Sequence, residues 1–311
     1  MATTKTELVN NINGDILVTK TSAPFDSFSW DTTGYSGNVD LVVKWYVDGV
    51  LVETSAVVSG TEQVSQGGSY HPVYQAKLDH ATANGIPLPT TAQSDIYNQR
   101  VIDFETEKGF ANVDAVVDWS GEADILFKLI DMKRLVSLTK VGNITNSNTG
   151  LVGAGGYIDW NFVMNTGTNY QFNNAGIFTI LNTNPAATVN TYGVVGDNNR
   201  NASLLGNRPS GSNYYPLNTQ DGANGSNSQR LQKVGANSQN RENGTEVIYK
   251  TDVTTVLPIV SNDVRPDRSM FAFAENNKGT ARNNSTIEIG FMAIGSSFAA
   301  AHDGLKAKLE I

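Results

Sequence analysis

Two carboxylates about 5 to 9.5 Å apart can cleave a glycosidic bond, and positions i and i+2 on one strand face give that separation. Three acidic pairs have this spacing: Asp103 with Glu105, Glu105 with Glu107, and Glu122 with Asp124. The first two fall in a segment of helical periodicity, where residues two apart do not share a face. Only Glu122 and Asp124 are placed to open a strand. Asp114 and Asp118 share a strand face, but four residues put them ~13 Å apart, too far to act on one bond. Solvated strand positions account for them equally well.

Glu122-Ala-Asp124 resembles the opening of the Glu-x-Asp-x-x-Glu signature of sandwich-fold glycanases, but Phe127 stands where its last Glu belongs. The expectation is therefore a protein that is not an enzyme. Other chemistries find less. The chain has no cysteine, which excludes a disulfide framework, a thiolate metal site and a thiol nucleophile. His71, His80 and His302 are scattered, none with a second His at ligand spacing, and are read as surface or satisfied polar residues. Asp197-Asn-Asn-Arg200 and Asp221-Gly-Ala-Asn224 offer the oxygen ligands of a Ca²⁺ site but are read as turns, so no cofactor is expected and Ca²⁺ is the one alternative. No Walker-type phosphate loop occurs.

Binding asks for less than catalysis. Sugars are held by aromatic faces and by Asn, Asp and Arg side chains on loops. The stretch from 196 to 244 supplies these as Asp197, Asn198, Arg200, Tyr214, Tyr215 and Arg230. In the competing reading the same loops only pack against neighbouring protein copies. A formal net charge of -8 opposes phosphate neutralisation, so nucleic acid is not an expected partner.

The elements that must position these residues are mostly strands. Asn, Gly, Ser and Thr replace charge, which is only 17% of the chain, and they favour turns over helices. Residues 1–66 read as a small β module, with Asp48-Gly49 joining two β-branched runs in a tight hairpin and with Trp30 and Trp45 as core residues. Ser65-Gln-Gly-Gly-Ser69 is a linker. Residues 67–109 hold it and a helix-loop-helix, with Tyr74, Leu78 and Ala81 on one helical face and Thr90, Thr91 or Ser94 capping the second helix.

From 110 to 311 the pattern is an antiparallel sandwich, with strands at 113–119, 124–129, 134–141, 157–164, 176–182, 191–195, 245–250, 269–274 and 285–294. The polar stretch 196–244 is too long for a structureless loop and should hide short strands near Tyr214-Tyr215 and Arg230-Leu231-Gln232. The last residues, from Phe298, return to helical composition and predict a closing helix. No stretch approaches the ~20 apolar residues of a membrane span, and the first residues lack a secretory signal's apolar run, which predicts synthesis in a cytoplasm.

The succession of Tyr74-Gln-Ala-Lys-Leu-Asp-His-Ala, Asn98-Gln-Arg-Val-Ile-Asp-Phe, Val113-Asp-Ala-Val-Val-Asp-Trp, Gly156-Tyr-Ile-Asp-Trp-Asn-Phe, Phe271-Ala-Phe-Ala-Glu and Glu288-Ile-Gly-Phe-Met-Ala-Ile-Gly-Ser-Ser resembles the concanavalin A-like (laminin-G-like) jelly-roll modules of bacteriophage structural proteins. It covers roughly residues 70 to 311. Where the family carries an aromatic-rich helix near its end, this chain is Ala-rich. The resemblance implies a mainly β, antiparallel jelly-roll sandwich behind a short helical preface, located in the virion. It implies a spike, fibre or tail component that displays a lectin-like domain to host-surface glycan. The alternative is a capsid decoration or assembly protein contacting only other virion proteins. Residues 1–66 lie outside the match and are expected to attach the chain to other virion proteins as part of a homo-oligomer, because so small a module buries little core alone.

Overall fold

The Asp48-Gly49 dipeptide turns with both residues at positive φ, 50° and 79°, which only a turn of the predicted type uses. It joins the strands Gly37–Val47 and Val50–Thr54 in a computed structural model that describes residues 4–10, 16–21, 37–54, 58–62, 70–183, 190–197, 200–205, 213–214, 217–220, 226–227, 233–258, 265–282 and 284–310. The chain divides into two compact units, Met1–Ser69 and Tyr70–Ile311.

In the first unit an antiparallel sheet runs in the order Ile16–Lys20, Thr4–Asn10, Gly37–Val47, Val50–Thr54, with Val58–Glu62 pairing the other end of Gly37–Val47. Leu8, Val9 and Val42 are its buried apolar residues among those described. Trp45 is only half-buried, contrary to its reading as core, because it points to the opposite face of its strand from Val42. Trp30 lies outside the described residues. Every residue of Val50–Thr54 is exposed, Val50, Leu51 and Val52 included.

The second unit is mainly β and is a sandwich of two sheets, antiparallel except where Glu275–Asn277 runs parallel to Asn190–Val195. One sheet runs Ile144–Asn146, Leu151–Gly153, Glu288–Gly295, Ala175–Leu181, Gly235–Arg241, Glu246–Lys250, Thr254–Pro258, with Val113–Asp118 also on Glu288–Gly295. The other runs Leu217–Gln220, Arg200–Leu205, Asn190–Val195, Ser269–Ala272, Tyr157–Val163, Thr139–Val141. Between them lie Trp119, Trp160, Ile177, Leu181, Tyr192, Met270, Phe273 and Met292. The helices are more than a preface, because they form a third layer on the outer face of the first sheet. Helix α1 (Pro72–Ala83), α2 (Thr91–Glu107) and the closing α4 (His302–Leu309) contribute Tyr74, Tyr97, Phe104, Leu305 and Leu309, which meet Val116, Phe178 and Phe291 of that sheet. Thr90 caps α2 through the N–H of Gln93, and His71 caps α1 through that of Val73. Gly304 lets α4 close on α2, where a side chain would collide with the Glu107 carboxylate.

Three readings need correction. Residues 124–129 are not a strand: Asp124 accepts from the Leu126 N–H at 2.8 Å and starts the short helix α3 (Ile125–Lys128). The expected strand 134–141 is broken into Val136–Ser137 and Thr139–Val141, after Leu135 at φ 53°. Asp114 and Asp118 are buried rather than solvated. Asp114 gathers the N–H groups of Thr168, Asn169 and Tyr170, and Asp118 pairs with Arg100.

The helix layer buries one misfit. Lys77 of α1 is fully buried, its Nζ has no hydrogen-bond partner, and it lies 4.4 Å from the centre of the Phe127 ring. Burial pulls its pKa down to about 8 against the opposing pull of Asp118 and Asp131, with Lys128 adding to the fall. A lysine whose folded pKa is depressed destabilises the fold fully below that pKa, where the ammonium itself is buried. The penalty fades as pH rises through the window in which only the unfolded chain keeps the proton. Lys77→Met is therefore expected to raise unfolding stability at pH 7 by roughly 1–3 kcal/mol. The gap over wild type should close as pH climbs from about 8 towards the unfolded lysine value of ~10.4. Denaturant melts across that range check it; a variant less stable than wild type at every pH would show that the ammonium is a stabilising contact.

Candidate functional site

Helix α2 carries Gln93, Ile96, Gln99, Arg100 and Asp103 at intervals of three and four, so they share one face. That face forms one wall of a cleft of about 500 Å³. The opposite side is Ser120, Gly121 and Glu122, the turn residues Asn148 and Thr149, and Lys308 of α4. A second recess of about 360 Å³ adjoins it at Thr149 and is lined by Ile180, Leu181, Asn182, Val234, Gly235, Glu288 and Glu310. The two recesses share Thr149, and the pair of them is the groove.

Arg100 fixes the groove's inner wall. Its Nε donates to Asp118 at 2.6 Å, Nη2 reaches the other Asp118 oxygen at 3.4 Å, and Nη1 donates to the Leu309 carbonyl at 2.8 Å. One buried cation thus joins α2, the strand Val113–Asp118 and the end of α4. Asp118 also accepts from the N–H and hydroxyl of Ser120, holding the chain as it leaves the strand. Tyr97 donates its hydroxyl to the Ser120 carbonyl, and the Gln93 side chain accepts from the Glu122 N–H at 3.0 Å. Gly121, at φ 78°, must be glycine here because a Cβ would run into the Gln93 amide.

The rim is held just as closely. The Asn148 amide donates to Glu122 at 2.9 Å. Glu288 accepts from Ser147 Oγ at 2.5 Å and from Thr149 Oγ1, bracing the turn between Ile144–Asn146 and Leu151–Gly153. Lys128 donates to the Ser147 carbonyl at 2.6 Å from beneath; burial lowers its pKa to about 8 against the pull of Asp118 and Glu288. Glu310 accepts the Ala236 N–H at 2.5 Å and Asn182 donates to the Thr149 carbonyl at 2.5 Å. The lining has four carboxylates (Asp103, Glu122, Glu288, Glu310) and two cations (Arg100, Lys308), with Ile96 and Val234 each about half exposed. Such a lining can hold hydroxyl groups beside an exposed apolar side chain in each recess.

Of the sequence-predicted sugar residues, Asp197, Arg200 and Tyr214 fall among the described residues, the first two at one hairpin turn. Asp197 is exposed and pairs with Arg268, whose pKa it raises. Arg200 opens the strand Arg200–Leu205 opposite Gln220, and Tyr214 sits in a two-residue ladder opposite Ser226. Asn198, Tyr215 and Arg230 lie outside the described residues, as does Asp221-Gly-Ala-Asn224. Among the described residues no three His, Cys, Asp or Glu side chains are grouped to hold a metal ion. Glu122 and Asp124 do not form a strand-face pair, since Glu122 turns to Asn148 while Asp124 caps α3. The sequence pattern offers Glu122 only as half of a carboxylate pair and gives no sign of Asn148 or Lys308, which line the groove with it. The α2 stripe was the available signal for Arg100.

No protein-family model and no curated protein matches the chain. Among solved structures it is similar to domain 4 of a GH43 extracellular arabinanase from Geobacillus stearothermophilus, in complex with arabinotriose, at 14% identity and a TM-score of 0.40, over 63% of this chain and 99% of that one. A likeness this loose carries no argument about ligand.

If Arg100 is what sets the groove wall, Arg100→Ala leaves Asp118 buried without its cation and should cost about 3–5 kcal/mol, a fall in Tm on the order of 10 °C. Calorimetry of the variant decides it; a shift under ~2 °C would mean that the guanidinium is dispensable.

Proposed function

We propose that this protein is a structural component of a bacteriophage particle, a spike, fibre or tail part, that displays its β-sandwich unit to recognise host-surface glycan. The observation that carries the glycan reading is the groove, where carboxylates, amides and a threonine hydroxyl are held in place around exposed Ile96 and Val234. Fixed hydrogen-bonding groups beside exposed apolar side chains suit a ligand that presents hydroxyls on one edge and C–H bonds on its faces. The particle reading is supported by the succession of motifs that resembles phage modules, and several of these segments build the framework: α1, α2, and the strands Val113–Asp118, Tyr157–Val163 and Glu288–Gly295.

Binding without catalysis fits the same geometry. Glu122, Glu288 and Glu310 are each engaged by protein donors, and the one acidic pair at strand-face spacing is split between two elements. The first unit is proposed to anchor the chain. Its apolar strand Val50–Thr54, exposed along its whole length, suits pairing with other virion proteins or with copies of itself. That strand also favours the second reading, a decoration or assembly protein whose contacts are all within the particle. No helix among the described residues is long and apolar enough to cross a membrane.

A glycan array probed with the full chain is expected to retain at least one host-type saccharide, and incubation with the retained polysaccharide is expected to release no reducing sugar. Reducing-end release abolished by Glu122→Gln would make the protein a hydrolase. Retention of nothing, with the chain found in purified virions by mass spectrometry, would leave the decoration reading in place. Absence from virions would overturn the particle role.

A further inference from the structure

We infer that the groove selects uncharged or amine-bearing saccharides and rejects those carrying carboxylate or sulfate; this rests on the glycan reading above. The inference comes from what the lining has left to offer. Ionised carboxylates only accept hydrogen bonds, whereas guanidinium and ammonium groups only donate. Of the two cations, Arg100 is spent on Asp118 and the Leu309 carbonyl, and Lys308 lies 4.0 Å from Asp103. The cationic side of the lining is therefore matched inside the protein except for Lys308, half exposed and beyond hydrogen-bond distance of Asp103, which stands as one cation against four carboxylates.

The acceptors are not. Glu122 takes one donor from Asn148 on Oε1, and its second oxygen accepts from no donor among the described residues. Asp103 takes the Gln99 amide at 3.1 Å on Oδ1, the oxygen nearest Lys308. Both acids line the larger recess, which opens beside the half-exposed Ile96. A ligand there completes the site best by bringing donors. Sugar hydroxyls do so, and an ammonium on the ring does so with charge. A uronate or sulfate adds acceptors and a like charge, which the groove meets with Lys308 alone against four carboxylates.

The experiment compares the full chain with Glu122→Gln and Asp103→Asn against immobilised oligomers of equal length: glucosamine, N-acetylglucosamine and galacturonate. Wild type is expected to bind the first two and not the third. Each variant should weaken the glucosamine oligomer by about three- to tenfold while changing the N-acetylated one less. Galacturonate bound as well as the others would overturn the inference and leave the glycan reading standing. Binding unaffected by both substitutions would place the ligand elsewhere and also overturn it. Retention of no saccharide, on this panel or a wider array, would defeat the glycan reading itself.

Discussion

The side chain of Arg100 is nine-tenths buried between α2, the strand Val113–Asp118 and the end of α4, and donates to both of the latter. A charge so placed costs several kcal/mol to desolvate, and only a geometry that meets its donors repays that. The requirement ties distant parts of the chain together. Arg100 and Leu309 are 209 positions apart, and the chain must return so that the last carbonyl of α4 reaches the guanidinium. The same carboxylate that accepts from Arg100 holds Ser120, and from Ser120 the chain turns through Gly121 to Glu122. The groove is thus a by-product of how the helix layer is locked to the sheet, which is why its lining comes from seven separate parts of the sequence.

Burial on both faces explains why the central strands were legible. Ala175–Leu181 and Glu288–Gly295 are buried almost throughout, with alternate residues going to the sandwich interior and to the helices: Ile177 and Met292 inward, Phe178 and Phe291 towards α1, α2 and α4. Such strands read as continuous apolar runs rather than as alternation. The two helices were equally plain, because Tyr74, Leu78 and Ala81 keep helical spacing and Thr90 supplies a cap. What spacing left open was that these helices cover a sheet face, since a helical period says which side is buried and not against what.

The strand Gly235–Arg241 shows why the rest was hidden. It has no large apolar residue, yet it is buried from Ala236 onward. Its odd positions face the sandwich interior, where Asn237 and Gln239 accept from the hydroxyls of Tyr249 and Tyr192, each at 2.8 Å. Its even positions face the helix side, where Ser238 meets the His302 ring at 2.9 Å and Asn240 accepts the Phe298 N–H at 2.6 Å. Polar side chains with partners can be buried at little net cost, but the partners lie up to 64 residues away and leave no local pattern. The same applies to the groove. Glu122 reads as half of a catalytic pair because its partner in sequence is Asp124, whereas its partner in space is Asn148.

The central claim, that the ligand lies in the groove held by Arg100, is tested most directly by following backbone and side-chain amide resonances of the full, isotope-labelled chain during titration with a bound oligosaccharide. The account predicts that the largest shifts fall on Gln99, Asn148, Thr149 and Asn182, with the residues around Asp197, Arg200 and Tyr214 unmoved. Shifts concentrated at Asp197 to Arg230, with the groove amides silent, would contradict it.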